Sequence, residues 1–289
     1  MKRTNKHNLP SVFERFGDSS PYSTEGAKYG ATTLLDSPRI RRLRQNHFQE
    51  IEEDIADSVF SLLGTAIHAI LEGGSEPDQI VEERFHAEVE VNGEKIGVSG
   101  QVDLQTPTPN GMILSDYKTT SSSAVMYNPE GKSEHHKQLN LYAAMARRNG
   151  VKVAGLEIIS IVRDWTASGL NRYQNYPEAS VVITPIPLWG CLKAEKYLRR
   201  RVALHESSAI PECTPEERWA KATTWAVFEK TKAGTVRKRA TRVFDNEIEA
   251  DLFAKDKGAS VVERPGSFAR CEGNYCGVAE FCEQFQKEK

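Results

Sequence analysis

The chain has 289 residues, 39% apolar and 27% charged, enough to bury a sizeable core in one large domain or in one domain with an appendage. No window approaches about 18 consecutive apolar residues, and the polar start Met1-Lys-Arg-Thr-Asn-Lys-His7 lacks the apolar stretch of a signal peptide, so a cytoplasmic protein with no membrane role is expected. A formal charge of −2 excludes a globally basic nucleic-acid binder, and five cysteines in an intracellular chain point to reduced or metal-bound thiols instead of disulfides.

Residues 1–28 are rich in Ser, Gly, Lys and Asn and predict a mobile arm. Thr32-Thr-Leu-Leu-Asp-Ser-Pro38 predicts a short apolar turn, then a basic helix with Arg39, Arg41, Arg42 and Arg44. Ile51–Leu71 is predicted helical, since Ile55, Val59, Leu62, Leu63, Ala66, Ile67 and Ile70 recur at three- and four-residue steps. Gly64 within it suggests close approach to another backbone, and His68 is either a structural histidine or a ligand.

Arg84–Val91 alternates apolar and polar residues and predicts a strand, with Asn92-Gly93 turning it into the next one. That strand, Ile96–Leu104, ends near Asp103; Pro107, Pro109, Asn110 and Gly111 make a turn, and Met112–Ser115 leads to Asp116, Tyr117 and Lys118. A hairpin here sets Asp103 beside Asp116, and the period of two puts Lys118 on the face of Asp116. Two carboxylates and an ammonium at one sheet edge suit a divalent cation and an attacking water.

Ser121–Gly131 reads as a loop and His135–Asn149 as a helix, on which Gln138 and Tyr142 share a face. Val151–Val162 and the run from Val181 predict strands, giving a mixed sheet. Leu188–Leu204 predicts a helix exposing Lys193, Lys196, Arg199, Arg200 and Arg201, with Cys191 as a small core residue. Thr214-Pro-Glu-Glu217 has the composition of a helix start. Trp225–Phe228 and Ala240–Phe244 predict a hairpin, and Glu247–Lys257 an amphipathic helix with Ile248, Leu252 and Phe253 on its apolar side.

Gly64-Thr-Ala-Ile-His68, Gly100-Gln-Val-Asp103, Asp116-Tyr-Lys118 and Gln138-Leu-Asn-Leu-Tyr142, in that order, resemble the RecB-like branch of the PD-(D/E)xK nucleases over about residues 30–165. The resemblance implies a restriction-endonuclease-like α/β core, a mixed central sheet flanked by helices. The expected division is an arm at 1–28, the core at 29–206 and a cysteine-bearing extension at 207–289. It implies Mg²⁺ or Mn²⁺ held by His68, Asp103, Asp116 and the Tyr117 carbonyl. Lys118 would polarise the water, and Gln138 and Tyr142 would contact phosphate or hold that water. DNA is the implied substrate. A recombination or single-strand-annealing protein is an implied partner, in a phage or repair setting and, for a phage protein, in the host cytoplasm. The chain has no GxxxxGK[ST] phosphate loop.

Cys271, Cys276 and Cys282 lie close in sequence, and Cys213 is the best fourth thiolate for a structural Zn²⁺ or a [4Fe–4S] cluster; three cysteines packed in a small terminal knot is the competing reading. An iron–sulfur subgroup of the family places one cysteine before the His motif, whereas this chain has none before Cys191. Arg41, Arg42, Lys196, Arg200, Arg237 and Arg239, in three basic runs, are the candidates for DNA contact. The expected function is a metal-dependent deoxyribonuclease, exonucleolytic in kind. The alternatives are a nucleic-acid-binding module that keeps the fold without cutting and a metal-stapled scaffold.

Overall fold

Sequence periods of two and of about 3.6 alternate along the chain, and the backbone follows them. A computed structural model describes residues 1–18 and 23–287. In chain order the elements are β1 (Lys2–Thr4), α1 (Ser11–Asp18), β2 (Tyr29–Gly30), α2 (Ala31–Leu35), α3 (Pro38–Asn46), β3 (Glu52–Asp54), α4 (Val59–Glu72), β4 (Ile80–Val91), β5 (Glu94–Thr108) and β6 (Gly111–Thr120). Then follow α5 (Ser122–Tyr127), α6 (Ser133–Arg148), β7 (Val153–Val162), β8 (Val181–Ile186) and α7 (Cys191–Glu206). The remainder is β9 (Ala220–Lys221), β10 (Thr224–Phe228), β11 (Arg242–Phe244), α8 (Glu247–Lys257), β12 (Ser260–Arg264), β13 (Ser267–Phe268), α9 (Ala269–Glu272) and α10 (Glu283–Gln286). The chain divides into two compact units, one of residues 1–38 and 49–210, the other of residues 39–48 and 211–289.

The first unit is built on a six-stranded mixed sheet in the order β2-β5-β6-β7-β8, with β4 also paired to β5. β5 runs antiparallel to both β4 and β6, because Asn92-Gly93 and Asn110-Gly111 close tight turns. Asn92 and Gly93 both take positive φ, 52° and 81°, the requirement of a turn that matches strand twist. β6 and β7 are parallel, joined through α6, and β8 returns antiparallel. One face of β4–β7 carries α6, whose Leu139, Leu141 and Met145 are fully buried against Phe85, Val98 and Leu114. This is an α/β core of the restriction-endonuclease-like kind, a mixed central sheet flanked by helices.

Several expectations need correction. The predicted arm is built in: β1 pairs in parallel with β3, the Lys28 N–H donates to the Gly97 carbonyl at 2.9 Å, and the Ser99 hydroxyl donates to the Thr24 carbonyl at 3.1 Å. Residues 19–22 of that stretch lie outside the described residues. The predicted helix from Ile51 becomes β3 and a short 3₁₀ turn before α4 begins. None of the residues of α4 is buried, and a Cβ added to Gly64 meets nothing within 4 Å, so no backbone approaches it. By length and composition alone Ile55–Glu72 would reach across a membrane. Arg201 is buried, not exposed, because its guanidinium donates to the carbonyls of Leu34 and Asp36 and ties α7 to α2. Cys191 is exposed at the first position of α7 instead of buried. Ser121–Gly131 contains α5, capped by the Ser121 hydroxyl, which accepts the Ala124 N–H.

The second unit takes its helix α3 from early in the sequence and everything else from beyond residue 210. β10 lies between β11 and β12, both antiparallel to it, and Val227, Phe244, Ala250 and Ala254 form the core beneath α8. Small alanines face inward, which leaves Ile248 and Leu252 exposed where the sequence suggested they were buried. Thr214-Pro-Glu-Glu217 forms a capped turn and not a helix: the Thr214 hydroxyl accepts the Glu217 N–H, and Glu217 accepts the Thr214 N–H. Trp219 ends it with φ of 55°, a conformation that cannot propagate a helix.

Candidate active site

The β5–β6 hairpin carries the site. Leu104 pairs with Ser115, so the same antiparallel register places Asp103 opposite Asp116. Asp103 is 8% exposed and Asp116 1%. The Tyr117 N–H donates to Asp103 Oδ2 at 2.7 Å, which fixes one carboxylate against the neighbouring strand. Lys118, two residues on, falls on the Asp116 side, and its ammonium contacts Asp116 Oδ2.

α6 holds the other Asp116 oxygen. Gln138 Nε2 donates to Asp116 Oδ1 at 2.8 Å and to the Tyr142 hydroxyl at 2.9 Å. Gln138 and Tyr142 are both buried, and Gln138 links the Asp116 carboxylate to the Tyr142 hydroxyl. This contact needs α6 close to β5, and Gly100 allows it: a Cβ there would lie 2.8 Å from the Tyr142 ring and clash with Met145 Cε. The glycine three residues before Asp103 is thus a packing requirement of the site.

α4 brings His68. Its Nε2 is 3.2 Å from the Tyr117 carbonyl and its Nδ1 is 3.6 Å from Asp103 Oδ2. Burial holds the His68 pKa below its usual value; Asp116 works against that and Lys118 with it. A neutral imidazole is the form that can ligate a cation. Burial, and next the neighbouring Asp116, push the Asp103 carboxyl up to about 8. Two acids packed this way are an unfavourable arrangement that a divalent cation relieves.

Two residues of the site escaped the sequence reading. Glu82 occupies the β4 position opposite Asp103, and His68, Glu82 and Asp103 each offer a ligand atom within 4.8 Å of the others. Glu82 has φ of 53°, strained for a residue with a side chain, and Gln101 Nε2 donates both to its carbonyl at 3.1 Å and to its carboxylate at 2.8 Å. Burial raises its pKa, as do Glu72 and Asp116, while Arg84 opposes them. The other is His135, in the first turn of α6. Burial, then Lys118, lower its pKa to about 4, so it is neutral beside the acid–lysine pair. The alternation seen in the sequence begins at Arg84, whereas β4 begins at Ile80, and nothing in the sequence marks a positive φ at a glutamate.

A protein-family model described as the PD-(D/E)XK nuclease superfamily matches residues 75–283. The chain belongs to this superfamily. The match takes in Glu82, Asp103, Asp116, Lys118, Gln138 and Tyr142, and begins just after His68. No curated protein sequence matches the chain. Among solved structures it is similar to the one described as "Crystal structure of SSO0001", at 16% identity, over 72% of this chain and 85% of that one, with a TM-score of 0.45.

Nucleases of the PD-(D/E)XK superfamily typically use Mg²⁺ or Mn²⁺, and the donors of this site fit such ions: carboxylate oxygens, a backbone carbonyl and one imidazole. The basic candidates are distributed over both units. Lys196 and Arg200 are exposed on α7 of the first. Arg41 and Arg42, half-buried on α3, belong to the second, as do the exposed Arg237 and Arg239. Cys213, Cys271, Cys276 and Cys282 also meet in the second unit, where they line one cavity.

Proposed function

We propose that the protein is a metal-dependent deoxyribonuclease of RecB-like type that degrades DNA from ends, in recombination, repair or phage DNA metabolism. The observation that carries this reading is the hairpin itself, with Asp103 opposite Asp116, Lys118 against Asp116 and His68 against both Asp103 and the Tyr117 carbonyl. His68, Glu82, Asp103, Asp116 and the Tyr117 carbonyl would hold Mg²⁺ or Mn²⁺, which supplies Lewis acidity at the phosphoryl oxygens.

The remaining steps belong to the chain. Gln138 fixes the Asp116 carboxylate, and Asp116 fixes Lys118, so the ammonium stands at the edge of the hairpin with a set direction. There it orients the attacking water and neutralises charge that grows on the phosphate as the water oxygen bonds to phosphorus. The scissile P–O bond breaks, the leaving oxygen takes up a proton, and the water releases one to bulk solvent. Lys118 serves as a positive charge held against the Asp116 carboxylate. Among the described residues no element at the site carries a base-reading motif, and Lys196, Arg200, Arg237 and Arg239 are exposed, which favours recognition of strand structure or ends over sequence.

The test is digestion of end-labelled linear duplex and single-stranded DNA with Mg²⁺ or Mn²⁺, beside Lys118→Ala purified identically. Cutting by the parent, lower by about 100-fold or more in the variant, is expected. Loss of label from termini before internal cleavage is the exonuclease signature. DNA binding by both proteins with cutting by neither would leave a binding module that keeps the nuclease fold.

A further inference from the structure

The β10–β11 hairpin of the second unit does not stop where its sheet stops. β12 begins at Ser260, opposite Phe228, so past Phe228 the hairpin runs on with no third strand beside it. Its two sides stay paired. Lys230 bridges to Val236, the Arg237 N–H donates to the Glu229 carbonyl at 3.0 Å, and the Thr231 N–H donates to the Thr235 carbonyl at 2.7 Å. The Thr231 and Thr235 hydroxyls lie 2.8 Å apart across the tip, and Gly234 closes the turn with φ of 81°. Val227 pairs with Arg242 whereas Lys230 pairs with Val236, so the return side carries surplus residues, and Lys238, Arg239 and Ala240 bulge outward.

This two-sided ribbon is loaded with charge. From Glu229 to Arg242 it holds Lys230, Lys232, Arg237, Lys238, Arg239 and Arg242 against one acid, Glu229, in a chain whose formal charge is −2. All of these cations are exposed, and among the described residues none of them is ion-paired with a carboxylate. A lysine on an edge strand discourages pairing with another chain, but that purpose needs one charge and not a ribbon of them. The complement of such a surface is a polyanion.

Shape and composition choose among polyanions. The major groove of B-form DNA, about 12 Å wide and about 8.5 Å deep, admits a two-stranded ribbon. From Phe228 to Thr231 the outgoing side extends roughly 10 Å at about 3.3 Å per residue, enough to reach the groove floor. No aromatic residue lies between Phe228 and Phe244, so the ribbon offers no stacking surface for unpaired bases. The major groove of A-form RNA is too narrow and deep for side chains to read.

We propose that residues 228–242 form a ribbon that seats in the major groove of duplex DNA, with Lys232 at its tip and Arg237 and Arg239 on its return side meeting the flanking phosphates. Double-stranded DNA is then the form that the second unit binds. The class of ligand rests on the nuclease reading, while the choice of duplex rests on the ribbon alone.

The experiment is filter binding of the full chain in EDTA, which reads binding without cutting. The probes are an end-labelled DNA duplex, its separated strands, the same sequence as duplex RNA, and a DNA duplex whose cytosines carry glucose at C5, which fills the major groove. The parent should bind the plain duplex about 10-fold or more tighter than the other three. The triple variant Lys232→Ala/Arg237→Ala/Arg239→Ala should lose about 10-fold or more of duplex affinity, flatten the salt slope by about 3, and change single-strand affinity by less than about 2-fold. Lys255→Ala/Lys257→Ala, which removes exposed charge from α8 of the same unit, should match the parent. Should the triple variant not fold, the glucosylated duplex decides with the parent alone. Equal affinity for single strands or RNA, full duplex affinity in the triple variant, or undiminished binding to the glucosylated duplex would each overturn the proposal. Cutting in Mg²⁺ beside any of those results would leave the nuclease reading standing. Duplex binding through the ribbon with no cutting under any metal would remove the nuclease reading and keep the ribbon.

Discussion

Asp103 keeps its carboxyl buried opposite a second buried acid, and burial and charge together set the sign of its titration. Its pKa is raised to about 8 from an ordinary 3.8, so between those values the folded state holds the proton more tightly than the unfolded one. The contribution of this group to metal-free stability therefore falls as pH rises from about 4 to about 8. Asp103→Asn removes the burden. Its metal-free form should melt higher than the parent at pH 8, by about 2–4 °C per kcal/mol regained, with the gap closing toward pH 5. The same variant should lose cutting. A melting series from pH 5 to 8 on both proteins checks this, and an equal offset at every pH would refute it. Mg²⁺ binding to the parent should also strengthen with pH up to about 8 and release a proton, measurable by calorimetry in two buffers of different ionisation heat.

α6 shows what an element contributes beyond its own side chains. It reaches Asp116 only because β5 offers a glycine beneath Tyr142 and Met145. Gly100→Ala forces both apart and should cost about 1–3 kcal/mol, read in urea denaturation, with cutting lowered by more than the folded fraction explains because Gln138 retreats from Asp116. The first turn of the helix adds a titration. His135 stays neutral with a pKa of about 4, so its stabilising contribution is complete above about 6.5 and is lost as pH falls toward 4. Against His135→Gln, the parent should lose no more than about 3 kcal/mol across that window, and a parallel pH profile would contradict the assignment.

The elements also explain which features the sequence disclosed. Period-two alternation and two Asn-Gly turns fixed β4, β5 and β6, and with them the meeting of Asp103, Asp116 and Lys118. The apolar spacing of α4 gave the helix but misled about its surroundings, since no residue in it is buried. Arg201 read as one more cation on a basic face because nothing local announces that the carbonyls of Leu34 in α2 and of Asp36 just after it await it. Glu82 was missed for a similar reason: its role depends on the partner strand and on a strained φ, neither of which leaves a mark in composition.

For the molecule as a whole, the proposed activity rests on a cation held in the first unit. Dialysis against a chelator should abolish cutting by stripping the carboxylate site, and excess Mg²⁺ or Mn²⁺ should restore it. DNA affinity should drop by about 10-fold or more between 50 and 200 mM salt if several phosphates are contacted. Removing Lys196 and Arg200 together should lower the salt slope by about 2, as should removing Arg237 and Arg239, for whichever pair meets phosphate. Filter binding with each double variant distinguishes the unit that carries the DNA; an unchanged slope in both would exclude these four residues.

The division of the chain also sets an order of assembly. Arg39–Phe48 is made before nearly all of the first unit, yet its partners lie beyond residue 210. During synthesis this helix must wait for its partners while β4–β8 condense around their own local hairpins. Once that sheet has formed, the ends of the intervening segment are no longer those of a free coil, and much of the entropy of closing so long a loop has already been spent. The second unit should thus mature last and rapidly, and a ribosome stalled just short of Cys271 should display a finished first unit with α3 still open to protease.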